Sequence, residues 1–163
     1  MNITPDDSHL YSTIDSCTIV ELPRLGDDHD GTLTVVENTG DTPLVIRRVY
    51  YLYDVPADAE RGGHSHFRLR QLVVALSGSF DVTLDDGVQR KTVTLNRPYR
   101  ALRIERGIWR TIDNFSSGAV CLVLASEKFS EEDYVRSYDR FLRLTAPKRN
   151  SAPSEPKGTR GVL

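Results

Sequence analysis

Phe80-Asp81-Val82-Thr83-Leu84 and Lys91-Thr92-Val93-Thr94-Leu95 flank the trio Asp85-Asp86-Gly87, and this stretch decides the fold class. Apolar and polar residues alternate along each flank, so Phe80, Val82 and Leu84 share one face of an extended chain. Gly87 supplies the positive φ that a tight reversal needs, and the whole reads as a β-hairpin. Working outward, further β-rich runs fall at 33–37, 44–53, 71–76, 100–104, 109–113 and 119–125, punctuated at Gly40, Gly63, Gly78, Gly107 and Gly118. Eight short runs at this spacing predict an all-β protein, a closed or double-sheet barrel. One helix is expected late. Ser130 would cap it, Glu131, Glu132 and Asp133 suit its N-terminal dipole, and Tyr134, Tyr138, Phe141 and Leu142 form an apolar stripe.

The ends read differently. Residues 146–163 turn to Pro, Lys, Ser and Gly and are expected to form a disordered tail, and polar residues 1–14 are expected to be loose. The chain of 163 residues is then one domain over 1–145 with its core at about 20–144, long enough to bury a sizeable interior. No internal repeat and no glycine-rich phosphate loop is present.

Composition narrows the partners. With 21 basic against 23 acidic side chains the surface as a whole is neither a nucleic-acid nor a membrane binder, and no apolar run approaches a membrane span. The N-terminus carries acid where a secretory signal needs positive charge, so a cytoplasmic location is expected. Cys17 and Cys121 lack metal-ligand spacing and are expected as buried thiols. The basic residues are 17 Arg and 4 Lys, which fits either bidentate phosphate recognition or genomic base composition.

Chemistry concentrates at Arg61-Gly62-Gly63-His64-Ser65-His66. Two histidines two apart on an extended chain project to the same face, and the glycines let the backbone turn sharply or approach a ligand. A lone strand histidine is more often structural; a pair on one face after Arg-Gly-Gly points to a site. The spacing continues with four residues, Gln71, six residues and Gly78, and later with Gly107, Arg110 and Asn114. This order resembles the two motifs of the cupins, whose fold is a double-stranded β-helix, or jelly-roll, barrel. Metal-binding cupins carry a carboxylate and a third histidine where this chain has Gln71 and Arg110. Gln71 is a weak ligand and Arg110 a permanent cation, so no metal and no other cofactor is expected.

A closer resemblance, over most of residues 20–144, is to the small cupins that are thymidine-diphosphate 4-keto-6-deoxyglucose 3,4-ketoisomerases. It rests on Gly31-Thr32-Leu33-Thr34-Val35-Val36-Glu37, Ile46-Arg47-Arg48-Val49-Tyr50-Tyr51, the histidine block with Gln71, Gly78-Ser79, Leu84-Asp85-Asp86-Gly87, Arg97-Pro98, Trp109, and Tyr134-Val135-Arg136 through Phe141. Departures stand at Asp30, where arginine is usual, and at Gly63, Ser65 and Phe67-Arg68. The resemblance implies a metal-independent isomerase of deoxysugar biosynthesis, acting on a dTDP-linked keto-sugar and forming a homodimer. Its chemistry would be proton transfer through an enediolate, with His64 and His66 as acid and base and Tyr50 or Tyr51 assisting. Arg48, Arg61 and Arg110 are candidates for pyrophosphate or oxyanion, Gln71 for orienting a histidine or hydroxyl, and Trp109 for stacking on the base, although a lone Trp in a β-run is more often core. On a strand, only one of Arg47 and Arg48, and one of Tyr50 and Tyr51, points inward. Two alternatives share these features, a 3,5-epimerase-like enzyme and a nucleotide-sugar-binding cupin without turnover.

Overall fold

The computed structural model describes residue 10, residues 12–39 and residues 42–146. Gly40, most of the expected tail and residues 1–9 lie outside the described residues. In chain order the strands are β1 (Ile19–Glu21), β2 (Leu25–Asp27), β3 (Gly31–Leu33), β4 (Arg48–Leu52), β5 (Arg61–His66), β6 (Gln71–Ser77), β7 (Phe80–Asp85), β8 (Arg90–Leu95), β9 (Arg100–Ile104), β10 (Trp109–Asp113), β11 (Val120–Ala125) and β12 (Tyr134–Val135), followed by α1 (Tyr138–Leu144). One five-stranded antiparallel sheet runs β1-β9-β6-β11-β4, a second runs β12-β5-β10-β7-β8, and β2 pairs with β3 alone. Non-sequential neighbours in both sheets make this the jelly-roll barrel expected of a cupin.

Alternation explains the core. Phe80, Val82 and Leu84 of β7 meet Val73 and Ala75 of β6, Leu102 and Ile104 of β9, and Val123 of β11 between the sheets. The other face of β6 is buried too. Leu72 and Val74 pack with Leu44, Ala101 and Leu124, which is why β6 reads as a continuous apolar run rather than an alternating one. The hairpin of β7 and β8 forms as expected, with Asp85 paired to Arg90 and Gly87 at φ +88°.

Three expectations change. The run at 33–37 is strand only to Leu33, where β3 ends. The early residues are not all loose, because Leu10 and Ile14 are buried. The late helix is shorter than the stripe implied: Glu131–Asp133 is one 3₁₀ turn, Ser130 makes no capping bond, and Ser137 caps α1 by accepting from the Arg140 N–H. The reason is tertiary. Tyr134 and Val135 pair with His66 and Ser65 on the open edge of β5, and those bonds outweigh local helix preference. Helix α1 covers the outer face of the second sheet, where Phe141 is fully buried with Phe67 and Val135. No helix among the described residues is long and apolar enough to cross a membrane. Cys17 and Cys121 are buried free thiols, as expected.

Candidate functional site

A cavity of about 470 Å³ opens at one end of the barrel. Its floor is apolar, from Val73, Ile104, Ile112 and Val123, while its walls carry Arg48, Tyr50, Arg61, His64, Gln71 and Arg110. Six of the nine residues singled out from the sequence therefore converge. Arg48 and Tyr50 arrive from β4, Arg61 and His64 from β5, Gln71 from the start of β6, and Arg110 from β10.

Gly62 makes the approach of β5 to β10 possible. Its φ is +86°, and a Cβ there would lie 2.8 Å from the Arg110 carbonyl oxygen. The glycine thus serves the chain's own strand contact. At this point the register between the two strands shifts, with Arg110 opposite His64 and Thr111 opposite Gly62.

The histidines do point to one side, and their rings stand edge to face with centroids 4.9 Å apart. They differ in depth. His64 lines the cavity, whereas His66 is fully buried one layer behind it. Burial, with the nearby Arg110 cation adding to it, lowers the His64 pKa to about 3. Burial also takes His66 down to about 4, against the upward pull of Asp133. Both rings are neutral at pH 7, the state in which imidazole accepts a proton.

Arg110 is the most unusual group. It is 2% exposed, its Nη1 donates to the His64 carbonyl at 3.3 Å, and its Nε and Nη2 have no hydrogen-bond partner among the described residues. Burial lowers its pKa to about 10, so it stays a cation. An uncompensated buried charge costs on the order of several kcal/mol, and the two open donors lie along the edge that grips a planar oxyanion bidentately. Arg48 likewise has a buried Nε with no hydrogen-bond partner among the described residues. Gln71 Nε2 donates to the Tyr50 hydroxyl at 2.7 Å, which leaves the phenolic proton of Tyr50 free for another acceptor.

Two expected residues lie elsewhere. Tyr51 follows Tyr50 on a strand and so faces outward, 61% exposed beside Tyr53. Trp109 precedes Arg110 and, by the same period of two, faces the outer side, where it packs on Tyr138 and Phe141 of α1 and not in the cavity. Sequence reading also missed residues. Tyr134 and Arg136 line the cavity, with the Tyr134 ring 4.3 Å from His66 and 5.0 Å from His64 and the Arg136 guanidinium 4.1 Å from the Tyr134 ring centroid. The acidic run in the sequence places Asp133 at a helix N-terminus. Its carboxylate instead lies, buried, 3.3 Å from His66 Nδ1. The Tyr134-Val135-Arg136 string was visible in the sequence, but a helical reading hid its pairing with β5.

Among the described residues no group of three or more His, Cys, Asp or Glu side chains converges as a metal site. The donor set at the cavity is two histidines, one of them facing a carboxylate through Nδ1, beside a neutral amide and a guanidinium; this set does not suit a divalent cation.

Residues 15–146 match the model of the family described as FdtA: WxcM-like, C-terminal. The chain belongs to that family. Among its relatives, the TDP-4-oxo-6-deoxy-alpha-D-glucose-3,4-oxoisomerase of Aneurinibacillus thermoaerophilus is 40% identical over 119 residues, covering 73% of this chain and 86% of the relative. The structure of a 3,4-ketoisomerase from Helicobacter canadensis matches with a TM-score of 0.76 at 40% identity, over 80% of this chain and 97% of that one. QdtA, a sugar 3,4-ketoisomerase from Thermoanaerobacterium thermosaccharolyticum solved with TDP, matches with a TM-score of 0.79 at 35% identity, over 83% and 98%. A histidine-to-asparagine variant of QdtA has been solved with TDP-4-keto-6-deoxyglucose, at 36% identity to this chain, a TM-score of 0.77, and 81% and 95% coverage.

Proposed function

We propose that this FdtA/WxcM-like protein moves the carbonyl of a TDP-linked 4-keto-6-deoxyglucose from C4 to C3, using the cavity of His64 and Arg110 and no metal. Membership of the family and the names of its relatives support the reaction; the observation that carries it to these residues is the buried Arg110 with two unpartnered donors beside a neutral histidine pair.

The proton on C3 is acidified by the neighbouring C4 carbonyl. The histidine pair takes it, and the electron pair left behind flows to the C4 oxygen, giving an enediolate. Arg110 stabilises that developing charge, and the free phenolic proton of Tyr50 donates to the same group of oxygens. A proton delivered to the C4 oxygen, a second to the C4 carbon, and loss of the C3 hydroxyl proton complete the transfer, so the two protons removed from C3 and its hydroxyl are matched by two gained at C4 and its oxygen. Nothing is oxidised or reduced overall, so no redox partner is required. Arg48, Arg61 and Arg136 leave the cavity strongly positive against a single carboxylate, Glu60, a setting suited to diphosphate.

Incubation with TDP-4-keto-6-deoxyglucose in D₂O, followed by NMR, tests the reading. A 3-keto product is expected; deuterium at C5 with the carbonyl still at C4 would favour a 3,5-epimerase, and binding without product would favour a non-catalytic module.

The protein is read further as a cytoplasmic homodimer. Val49, Tyr51 and Leu76 are large, apolar and exposed on the outer face of the first sheet, beside an apolar groove lined by Leu22, Val36, Leu122 and Leu124. Light scattering after size-exclusion chromatography should return twice the 18.3 kDa chain mass.

A further inference from the structure

Behind the cavity wall the pair of His66 and Asp133 is sealed from solvent, with the two side chains 0% and 3% exposed. The carboxylate is pinned. Its Oδ1 accepts the Arg68 N–H at 2.8 Å and its Oδ2 the Leu69 N–H at 3.1 Å, while the Asp133 carbonyl accepts the Phe67 N–H. These bonds tie the turn after β5 to the segment before β12, and so fix Asp133 relative to His66, 67 positions earlier in the chain. Burial alone would raise the Asp133 pKa, but the His66 ring and the two backbone N–H groups more than offset this and hold it low, so it is a carboxylate.

A carboxylate beside a neutral imidazole accepts only a proton; it has none to give. We propose that Asp133 is a positioning residue that holds His66 in the tautomer protonated on Nδ1, leaving Nε2 as the bare acceptor for the proton transfer. Neither ring nitrogen of His66 makes a full hydrogen bond among the described residues, but only Nδ1 has a carboxylate against it, Asp133 at 3.3 Å, which leaves Nε2 as the unopposed nitrogen; no carboxylate among the described residues forms an ion pair with His64. The 3.3 Å approach has hydrogen-bonding length without full hydrogen-bond geometry, and substrate binding would tighten it. Whether the proton reaches Nε2 directly or through the His64 ring 4.9 Å away, the tautomer requirement is the same. This inference rests on the isomerase reading for the use of the base, and on geometry alone for the tautomer.

The test therefore separates the two. Ring ¹⁵N NMR of the intact, ligand-free protein with labelled histidine, assigned by the signal lost in His66→Asn, should show protonated Nδ1 and unprotonated Nε2 at neutral pH. A proton on Nε2 overturns the proposal, whatever the enzyme turns over. In Asp133→Asn, kcat on TDP-4-keto-6-deoxyglucose should fall by about ten- to a hundredfold with TDP affinity unchanged, and the Nδ1–H preference should be lost. Unchanged kcat and tautomer in a folded Asp133→Asn protein also overturn it. If that variant fails to fold because Arg68 and Leu69 lose their acceptor, the tautomer of the unsubstituted protein decides the matter.

Discussion

Two clusters of buried polar side chains in this barrel differ in how fully they are satisfied. At the β7–β8 hairpin, Asp85 accepts from the Gly87 N–H, the Arg90 guanidinium and the Tyr138 hydroxyl. Asp86 accepts from the backbone N–H groups of Ile14, Val88 and Gln89. At and behind the cavity wall, by contrast, nitrogen atoms of Arg48, His64, His66 and Arg110 are buried without a hydrogen-bond partner among the described residues. A protein interior rarely leaves such groups unmet. The hairpin cluster closes a fold and is complete by itself, whereas the cavity cluster retains donors that the proposed substrate, with its acceptors and negative charge, would meet.

That contrast can be broken by substitution. At the cavity, His66→Asn and His64→Asn should each lower turnover by about 10²- to 10⁴-fold, the worth of a positioned acid or base, with TDP affinity by calorimetry nearly unchanged. At the hairpin the effects should be reversed: Asp86→Ala leaves three N–H groups without an acceptor and should cost about 1–3 kcal/mol in denaturant unfolding, while kcat per folded molecule holds.

Acid sharpens the same distinction. His64 and His66 titrate at about 3 and about 4 in the folded state, below the 6.5 of an ordinary histidine. Between those values the unfolded chain binds the extra protons, so stability falls as pH drops from about 6.5 toward 3, and the pair stays unprotonated in the folded enzyme well below pH 6. The kcat/KM profile should accordingly remain flat from pH 8 to below 6, and the double variant of both histidines to Asn should lose less stability on acidification than the parent. The smallest effect is expected at Trp109. Trp109→Phe should leave KM unchanged and cost about 1 kcal/mol in stability through its contacts with Tyr138 and Phe141; a raised KM would return the indole to the base-binding role that its side of β10 argues against.

Much of this was legible before any coordinates. The alternation around Asp85-Asp86-Gly87 was enough for the hairpin, eight β-rich runs at regular spacing for an all-β barrel, and the His-x-His spacing put His64 and His66 on one side of β5. The period of two also held information that went unused. Trp109 and Arg110 are neighbours on a strand, so only one could enter the cavity, and the argument applied to Tyr50 and Tyr51 applies equally there. Other features were out of reach of local patterns. Asp133 meets His66 only because β12 pairs with the edge of β5, and the acidic run Glu131–Asp133 suits a helix start just as well as the turn it makes. Depth is equally a property of the packed barrel, which is why two histidines of one motif occupy different layers.

The central claim is that the unpartnered Arg110 guanidinium is held for the substrate's negative charge, and Arg110→Met tests it most directly by reading stability and activity on one sample. Removing a buried, uncompensated cation should raise the unfolding free energy by about 1–3 kcal/mol while turnover of TDP-4-keto-6-deoxyglucose falls by about 10²- to 10³-fold. A variant that is less stable than the parent, or one that keeps full turnover, would contradict the account.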